Sequence, residues 1–262
     1  MNPVLKKLRR FNRIMGVLHL VQGCAMLYFA SRVIQTIGEF RPEILQFYLT
    51  FNVETMSLET VSRTLFELPF GILVASFLFL SAFAHLLVSV PAGLNRIYNE
   101  NIQKGINPFR WFEYALSSSV MIGLIATLFG IYDIASLMLI FVLNACMNLF
   151  GLVMEQLNSG RDQKSVNWGP FIWGSMAGVT PWLAILLYMF GTGNFDQVPW
   201  FVWAIIGTYF VAFNTFPINM ILQYRRVGPW RDYIHGEKVY IVLSLLAKSV
   251  LAWLVLFGAF QP

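Results

Sequence analysis

The sequence predicts an all-α membrane protein built from seven spanning helices, and three observations lead there. Of 262 residues, 57% are hydrophobic and 12% charged, with a mean hydropathy of +0.63; soluble domains carry about 25% charge. Seven apolar stretches, each long enough to cross a hydrocarbon layer of about 30 Å, alternate with polar links. The basic residues gather in alternate links, as the positive-inside rule requires of a multi-pass protein. No second domain and no repeat of fixed period is evident, so residues 1–262 read as one membrane domain. Cys24 and Cys146 fall in apolar segments and offer neither a disulfide framework nor a metal cluster. The net charge of +5 sits in no soluble basic motif, which argues against nucleic-acid binding.

In chain order, a basic tail over 1–13 leads into span 1, Phe11 to Ser31. No cleavage site follows, so this run reads as a retained span that also directs insertion. A long connection over 32–67 comes next. Within it, EILQFYLTFN and VETMSLETVSR mix alternation with β-branched and aromatic residues, which predicts a two-stranded hairpin over one mouth of the bundle. Pro69 opens span 2, which runs to Val90, and 91–107 reads as a polar link. Pro108, suited to the first turn of a helix, starts span 3, which ends at Phe129. Asp133 begins span 4, ending near Gln156, and span 5 covers Trp168 to Phe190. After the turn-rich GTGNFDQ, span 6 runs from Pro199–Trp200 to Tyr224, the charged segment 225–237 links onward, and Tyr240 to Phe260 forms span 7. Pro181 and Pro217 lie inside spans 5 and 6, where each can kink its helix.

Orientation follows from the flanking charges. Fourteen of the 18 basic residues fall on the side that holds the N-terminus, and Arg32, Arg41 and Arg63 fall on the other. The expected arrangement is a cell-membrane protein with its N-terminus in the cytoplasm, its C-terminus at Gln261–Pro262 outside, and an extracellular hairpin.

The remaining basic residue is Lys248, in the middle of span 7. An ammonium at that depth costs at least about 2.5 kcal/mol on insertion scales, and its position far from both ends prevents snorkelling. Glu113 in span 3 is a partner within reach. Counting the helix rise from the same side, Glu113 lies about 8 Å deep and Lys248 about 15 Å deep, and a lysine stem covers about 6 Å. Pairing offsets much of the cost of burying either charge. The alternative partner for Glu113 is Arg110, one turn back. Ser117 and Met121 continue the Glu113 face at i+4 and i+8, Ser244 lies one turn from Lys248, and Tyr114, Asn144 and Asn148 add polar atoms from spans 3 and 4. His19 and His85 fall at similar depth in spans 1 and 2. They read either as hydrogen-bonded structural residues or as members of a hydrated cavity able to hold a proton. Glu155, near the end of span 4, is expected to snorkel. Among the many aromatic residues, Trp182 and Phe213 lie too deep for an interfacial belt, and helix-interior aromatics around one lysine suit a flat conjugated ligand.

Long segments resemble one family in the right order: FNRIMGVLHLVQG, LFLSAFAHL, GINPFRWFEYALSSSVMI, LNACMNLFGLVMEQLN, PFIWGSMAGVTPW and VAFNTFPINMILQYRRVGPWRDYIHGEKVYIVLSLLAKSVLAW. The chain resembles the heliorhodopsins, retinal proteins of inverted membrane orientation with a rhodopsin-like seven-helix bundle. That resemblance implies all-trans retinal bound covalently to Lys248 as a protonated Schiff base, with Glu113 as counterion and Ser244 beside it. It implies a proton cavity containing His19, His85 and Tyr114. The pocket it implies is formed by Ser117, Met121, Asn144, Trp182, Phe213 and Trp253. It also implies a homodimer in contact through the hairpin, and a sensory photocycle rather than net pumping, read by an unidentified cytoplasmic partner. A light-gated channel or transporter is the alternative. A metal hydrolase would need three convergent ligands that span 7, with no histidine, does not offer; enzyme activity is not expected.

Overall fold

The computed structural model describes residues 2–33, 41–191, 193, 198 and 200–258. Its helices are α1 (Pro3–Tyr28), α2 (Phe70–Ser89), α3 (Ala92–Gln103), α4 (Pro108–Leu128), α5 (Ile134–Asn158), α6 (Gly169–Phe190), α7 (Trp200–Tyr224) and α8 (Tyr233–Gly258). All but α3 belong to the seven helices, among the described residues, that are long and apolar enough to cross a membrane. Neighbours pack around a ring in which α1 lies against α2 and α8, α2 against α4, α4 against α5, and α5 against α6. Trp182 of α6 closes the ring onto α7 by packing on Tyr209, Phe210 and Phe213.

The helix starts follow local chemistry. Asn107 accepts from the Arg110 backbone ahead of Pro108, and Asp133 accepts from the Ser136 amide and hydroxyl, each meeting donors that a helix N-terminus leaves unpaired. Two boundaries differ from the sequence reading. The basic tail is helical from Pro3, capped by Asn2, because Leu5, Leu8 and Asn12 share a buried stripe at helical spacing. Likewise, 91–107 is not merely a link. Asn95, Tyr98, Asn99 and Ile102 form the buried stripe of α3, and Tyr98 and Ile102 pack with Leu5, Leu8 and Ile241. The start of span 6 at Pro199, most of GTGNFDQ, the side chain of Arg32 and the C-terminus at Gln261–Pro262 lie outside the described residues.

The predicted hairpin is present as an antiparallel pair, β1 (Glu43–Asn52) and β2 (Ser57–Glu67). Met56, with φ of 50°, turns the chain, while Asn52 accepts from Glu54 and donates to Glu59 across the turn. Hydrogen bonds from Asn52 and Thr55 hold the Glu59 carboxyl below its usual range. Such a ribbon is marginal alone. Its anchor is the Ile44–Leu45 bulge: Ile44 is fully buried, and the Leu45 amide donates to the Tyr132 carbonyl at the α4–α5 turn. Beyond the anchor, Phe47, Leu49 and Phe51 are exposed.

The interior divides along the helix axes. Toward the hairpin, Met26, Phe77, Leu78, Ile122, Ile125, Ile131 and Ala252 belong to one apolar cluster. Toward the N-terminal end, the interior carries Asn12, His19, Asn107, Arg110, Glu155, Glu237 and Lys248. Replacing Asp133 by alanine removes the cap beside the hairpin anchor. Thermal melts in detergent should show a loss of about 1 kcal/mol, and an unchanged melt would mean that the cap is not stabilising.

Candidate functional site

Lys248 and Glu113 meet. Nζ of Lys248 lies 2.6 Å from Oε1 of Glu113, and the two side chains are 4% and 9% exposed. The long lysine side chain reaches Glu113 at the depth that the helix-rise count anticipated. Arg110 is not the partner of Glu113, because its guanidinium is engaged elsewhere. Ser81, four residues before His85 on α2, completes the site: its hydroxyl lies 2.6 Å from Glu113 Oε1 and also bonds to Lys248 Nζ. From sequence, Ser81 was noticeable only for its position one turn from a membrane histidine, a spacing that fits a metal hydrolase and gave it no place beside Lys248. With Glu113 ionised, the carboxylate accepts from both the ammonium and the hydroxyl, so its desolvation is offset by two donors.

A cavity of about 190 Å³ extends from Lys248 between α4, α5, α6, α7 and α8. Of the residues expected around the lysine, Met121, Phe213 and Ser244 line it, as does Tyr114, which the resemblance had put in the proton cavity with the histidines. Tyr114 lies beneath the amine, with Nζ 5.3 Å from the ring centroid, and donates to the Tyr240 carbonyl. Asn144 stands behind the wall, donating to Ser118 and Ser119, and Ser118 lines the cavity. Trp182 braces Tyr209 and Phe213 from behind. Ser117 is fully buried one turn from Glu113. Trp253 is not brought to the cavity; it packs edge-on against Phe29 toward the hairpin. Trp111, Met147 and Phe216 line the cavity without having been singled out from sequence. Gly151 and Gly178 face Trp111 and Met147 with no room for a Cβ, so glycine there is what admits these two large side chains.

The histidines also come together: the rings of His19 and His85 stack at 5.6 Å. His19 is fully buried, and neither ring nitrogen has a hydrogen-bond partner among the described residues. His85 Nδ1 lies 2.8 Å from Asn12 Oδ1.

A second buried ionic group lies one turn nearer the N-terminal end. Arg110 bonds to both Glu155 and Glu237, and all three side chains are nearly inaccessible. Asn107 and Tyr98 also donate to Glu237, and Trp111 Nε1 and the Tyr233 hydroxyl donate to Glu155. The guanidinium lies over the rings of Trp111 and Tyr240 at 4.7 and 4.1 Å. The expectation that Glu155 snorkels is therefore corrected: a cation two helix positions inside α4 draws it inward. Glu237 is likewise not in a link, because α8 begins at Tyr233. The available signal was that Arg110 follows the helix-starting Pro108 by only two residues and so lies inside a span. Tyr98, held by burial and then by Glu237 well above its ordinary pKa, remains a neutral phenol donor.

Seven membrane-capable helices, a lysine–carboxylate pair and an adjoining aromatic cavity are features that a retinal-binding photoreceptor requires. The chain belongs to the Heliorhodopsin family, whose model matches residues 8–260. It is a multi-pass retinal photoreceptor protein by that membership, and no curated protein matches it.

Arg110→Met leaves two carboxylates buried without their cation. Unfolding measurements should show a loss of about 3–5 kcal/mol, with Glu155→Gln losing less; equal small losses would show that the triad is not a stabilising ion pair.

Proposed function

We propose that the protein is a light sensor carrying all-trans retinal as a protonated Schiff base on Lys248, with Glu113 as counterion and no net ion pumping. The observation that carries this reading is a buried amine, the single one among the described residues, paired with a carboxylate at the end of an apolar cavity. The residues fit the group: a primary amine for the bond, aromatic and thioether side chains from Phe213, Phe216, Tyr209, Met121 and Met147 for a conjugated chain, and few polar atoms beyond the pair. Ser175 and Val179 belong to the cavity wall yet are exposed on α6, which supports entry of a lipophilic molecule from the bilayer. When bound, retinal supplies visible absorption and light-driven isomerisation.

The chain's own groups then act in sequence. Glu113 and Ser81 hold positive charge on the Lys248 nitrogen in the dark. Movement of that nitrogen away from Glu113 removes the carboxylate's stabilisation and releases the proton. The stacked histidines, within the same polar end of the bundle, are the groups that receive it, and the proton returns in the dark. The apolar packing toward the hairpin supports a proton that is kept rather than passed through. A cytoplasmic N-terminus is supported by the exposed Lys6, Lys7, Arg10, Arg161 and Arg226 on the polar face. Homodimer contact through the hairpin is supported by exposed Phe47, Leu49 and Phe51. A signalling partner would read the polar face.

Added all-trans retinal should generate a visible band that Lys248→Ala abolishes; a band surviving the substitution refutes the covalent assignment. Glu113→Gln should lower the pKa of the retinal-bound nitrogen by roughly 1–3 units, because loss of the anion disfavours the charged form. A spectrophotometric titration measures it. Under voltage clamp, a steady photocurrent would replace the sensory reading with a light-gated channel or transporter.

A further inference from the structure

Four side chains from α2, α1, α3 and α8 form a hydrogen-bond chain with a single direction. His85 Nδ1 lies 2.8 Å from Asn12 Oδ1. Asn12 Nδ2 donates to the Leu8 carbonyl at 3.1 Å and to the Tyr98 hydroxyl at 3.3 Å. That hydroxyl donates to Glu237 Oε1 at 3.4 Å. Asn12, Tyr98 and Glu237 are each at most 2% exposed, so water does not compete for these bonds.

The direction fixes a tautomer. An amide has one donating and one accepting end, and which end is which follows from the network. The Leu8 carbonyl only accepts, so the amide nitrogen must face it and the amide oxygen must face His85. A ring nitrogen held against an amide oxygen carries the hydrogen. We infer that Asn12, Tyr98 and Glu237 are positioning residues that hold His85 as the Nδ1–H tautomer, leaving Nε2 as the atom that takes the proton released from Lys248.

This inference rests on the photoreceptor reading for the origin of the proton, and on geometry alone for the tautomer. In the transfer, the N–H bond at Lys248 breaks with its electron pair left on that nitrogen. The proton bonds to the Nε2 lone pair, Nδ1 keeps its own hydrogen, and the return step reverses this. The imidazolium so formed donates from Nδ1 to Asn12 more strongly than the neutral ring. Each later link donates onward and ends at a carboxylate, so the chain favours positive charge at its His85 end. Tyr98 suits this position because it stays a neutral donor. The other titratable groups acting on His85 are His19, stacked on its face, and Glu113 and Lys248 from α4 and α8. Like charge keeps His19 neutral when His85 is charged. Glu237 at the far end shares Arg110 with Glu155, so the guanidinium leaves carboxylate charge available to the chain.

Solid-state ¹⁵N NMR of histidine-labelled full-length protein in lipid bilayers reads the tautomer directly, with or without added retinal. His85→Gln identifies the resonances. The expected dark spectrum has a protonated Nδ1 and a bare Nε2 at His85. Asn12→Asp, which keeps an accepting oxygen against the ring, should preserve that pattern, whereas Asn12→Leu should lose it. With retinal bound, Asn12→Leu and Tyr98→Phe should each shorten the lifetime of the deprotonated Lys248 state by roughly tenfold, the weight of a hydrogen bond to a charged group. A wild-type spectrum with hydrogen on Nε2 overturns the inference irrespective of any variant. A lifetime unmoved in both variants overturns the role of the chain in holding the proton. If retinal gives no visible band while the tautomer is as expected, the source of the proton is wrong and the positioning of His85 stands.

Discussion

The Lys248–Glu113 pair is the constraint from which most of the surrounding structure follows. Two opposite charges in a low-dielectric interior attract strongly, but each ion costs several kcal/mol to desolvate, so the pair is sustained only by close geometry and further donors. α2 meets that requirement by placing Ser81 against both partners, and this demands that α2, α4 and α8 converge at one depth. The cavity occupies the room left on the far side of the lysine, where Gly151 and Gly178 let Trp111 and Met147 fill space that a side chain would otherwise take.

The charges are also segregated. Every buried ionic group among the described residues sits toward the N-terminal end, and the opposite half is filled by aliphatic and aromatic packing. On the proposed reading, a proton leaving Lys248 would find the buried ionic groups on one side. The hairpin is tied to the apolar half by Ile44 and the Leu45 backbone, away from the groups that titrate. On the proposed reading, this separation of an apolar end from a polar one favours a proton that is kept over one that is passed through.

Much of this was legible in the residues. Seven apolar stretches, the helix starts at Pro69, Pro108 and Asp133 and the hairpin all follow from local chemistry, and each is present among the described residues. Lys248 and Glu113 were pairable because both depths can be counted from one side along rigid helices. Where reading from sequence failed, the cause was tertiary. Glu155 and Glu237 lie near span ends, where a charge ordinarily reaches water, and only the position of Arg110 on a third helix draws them in. α3 has too few apolar residues to announce itself, and its buried face is largely asparagine and tyrosine. Trp253 was placed in the pocket by the family resemblance, not by its position on α8. The five residues from Lys248 to Trp253 are nearly a turn and a half, which carries its ring to another face and against Phe29.

The two buried cations differ in a way that matches their neighbours. Arg110 has a planar fork that meets two carboxylates at once and stays protonated under all ordinary conditions, so it serves as a fixed charge between α4, α5 and α8. Lys248 presents a single nitrogen that can lose its proton and can form a covalent bond to a carbonyl. Exchanging them would fail on both counts: a lysine cannot satisfy Glu155 and Glu237 with paired bonds, and a guanidinium at 248 would neither react nor release its charge. Trp111 joins the two sites, since its indole nitrogen donates to Glu155 while its ring forms part of the cavity wall. The permanent charge thus holds rigid one wall of the cavity in which the other charge is free to change.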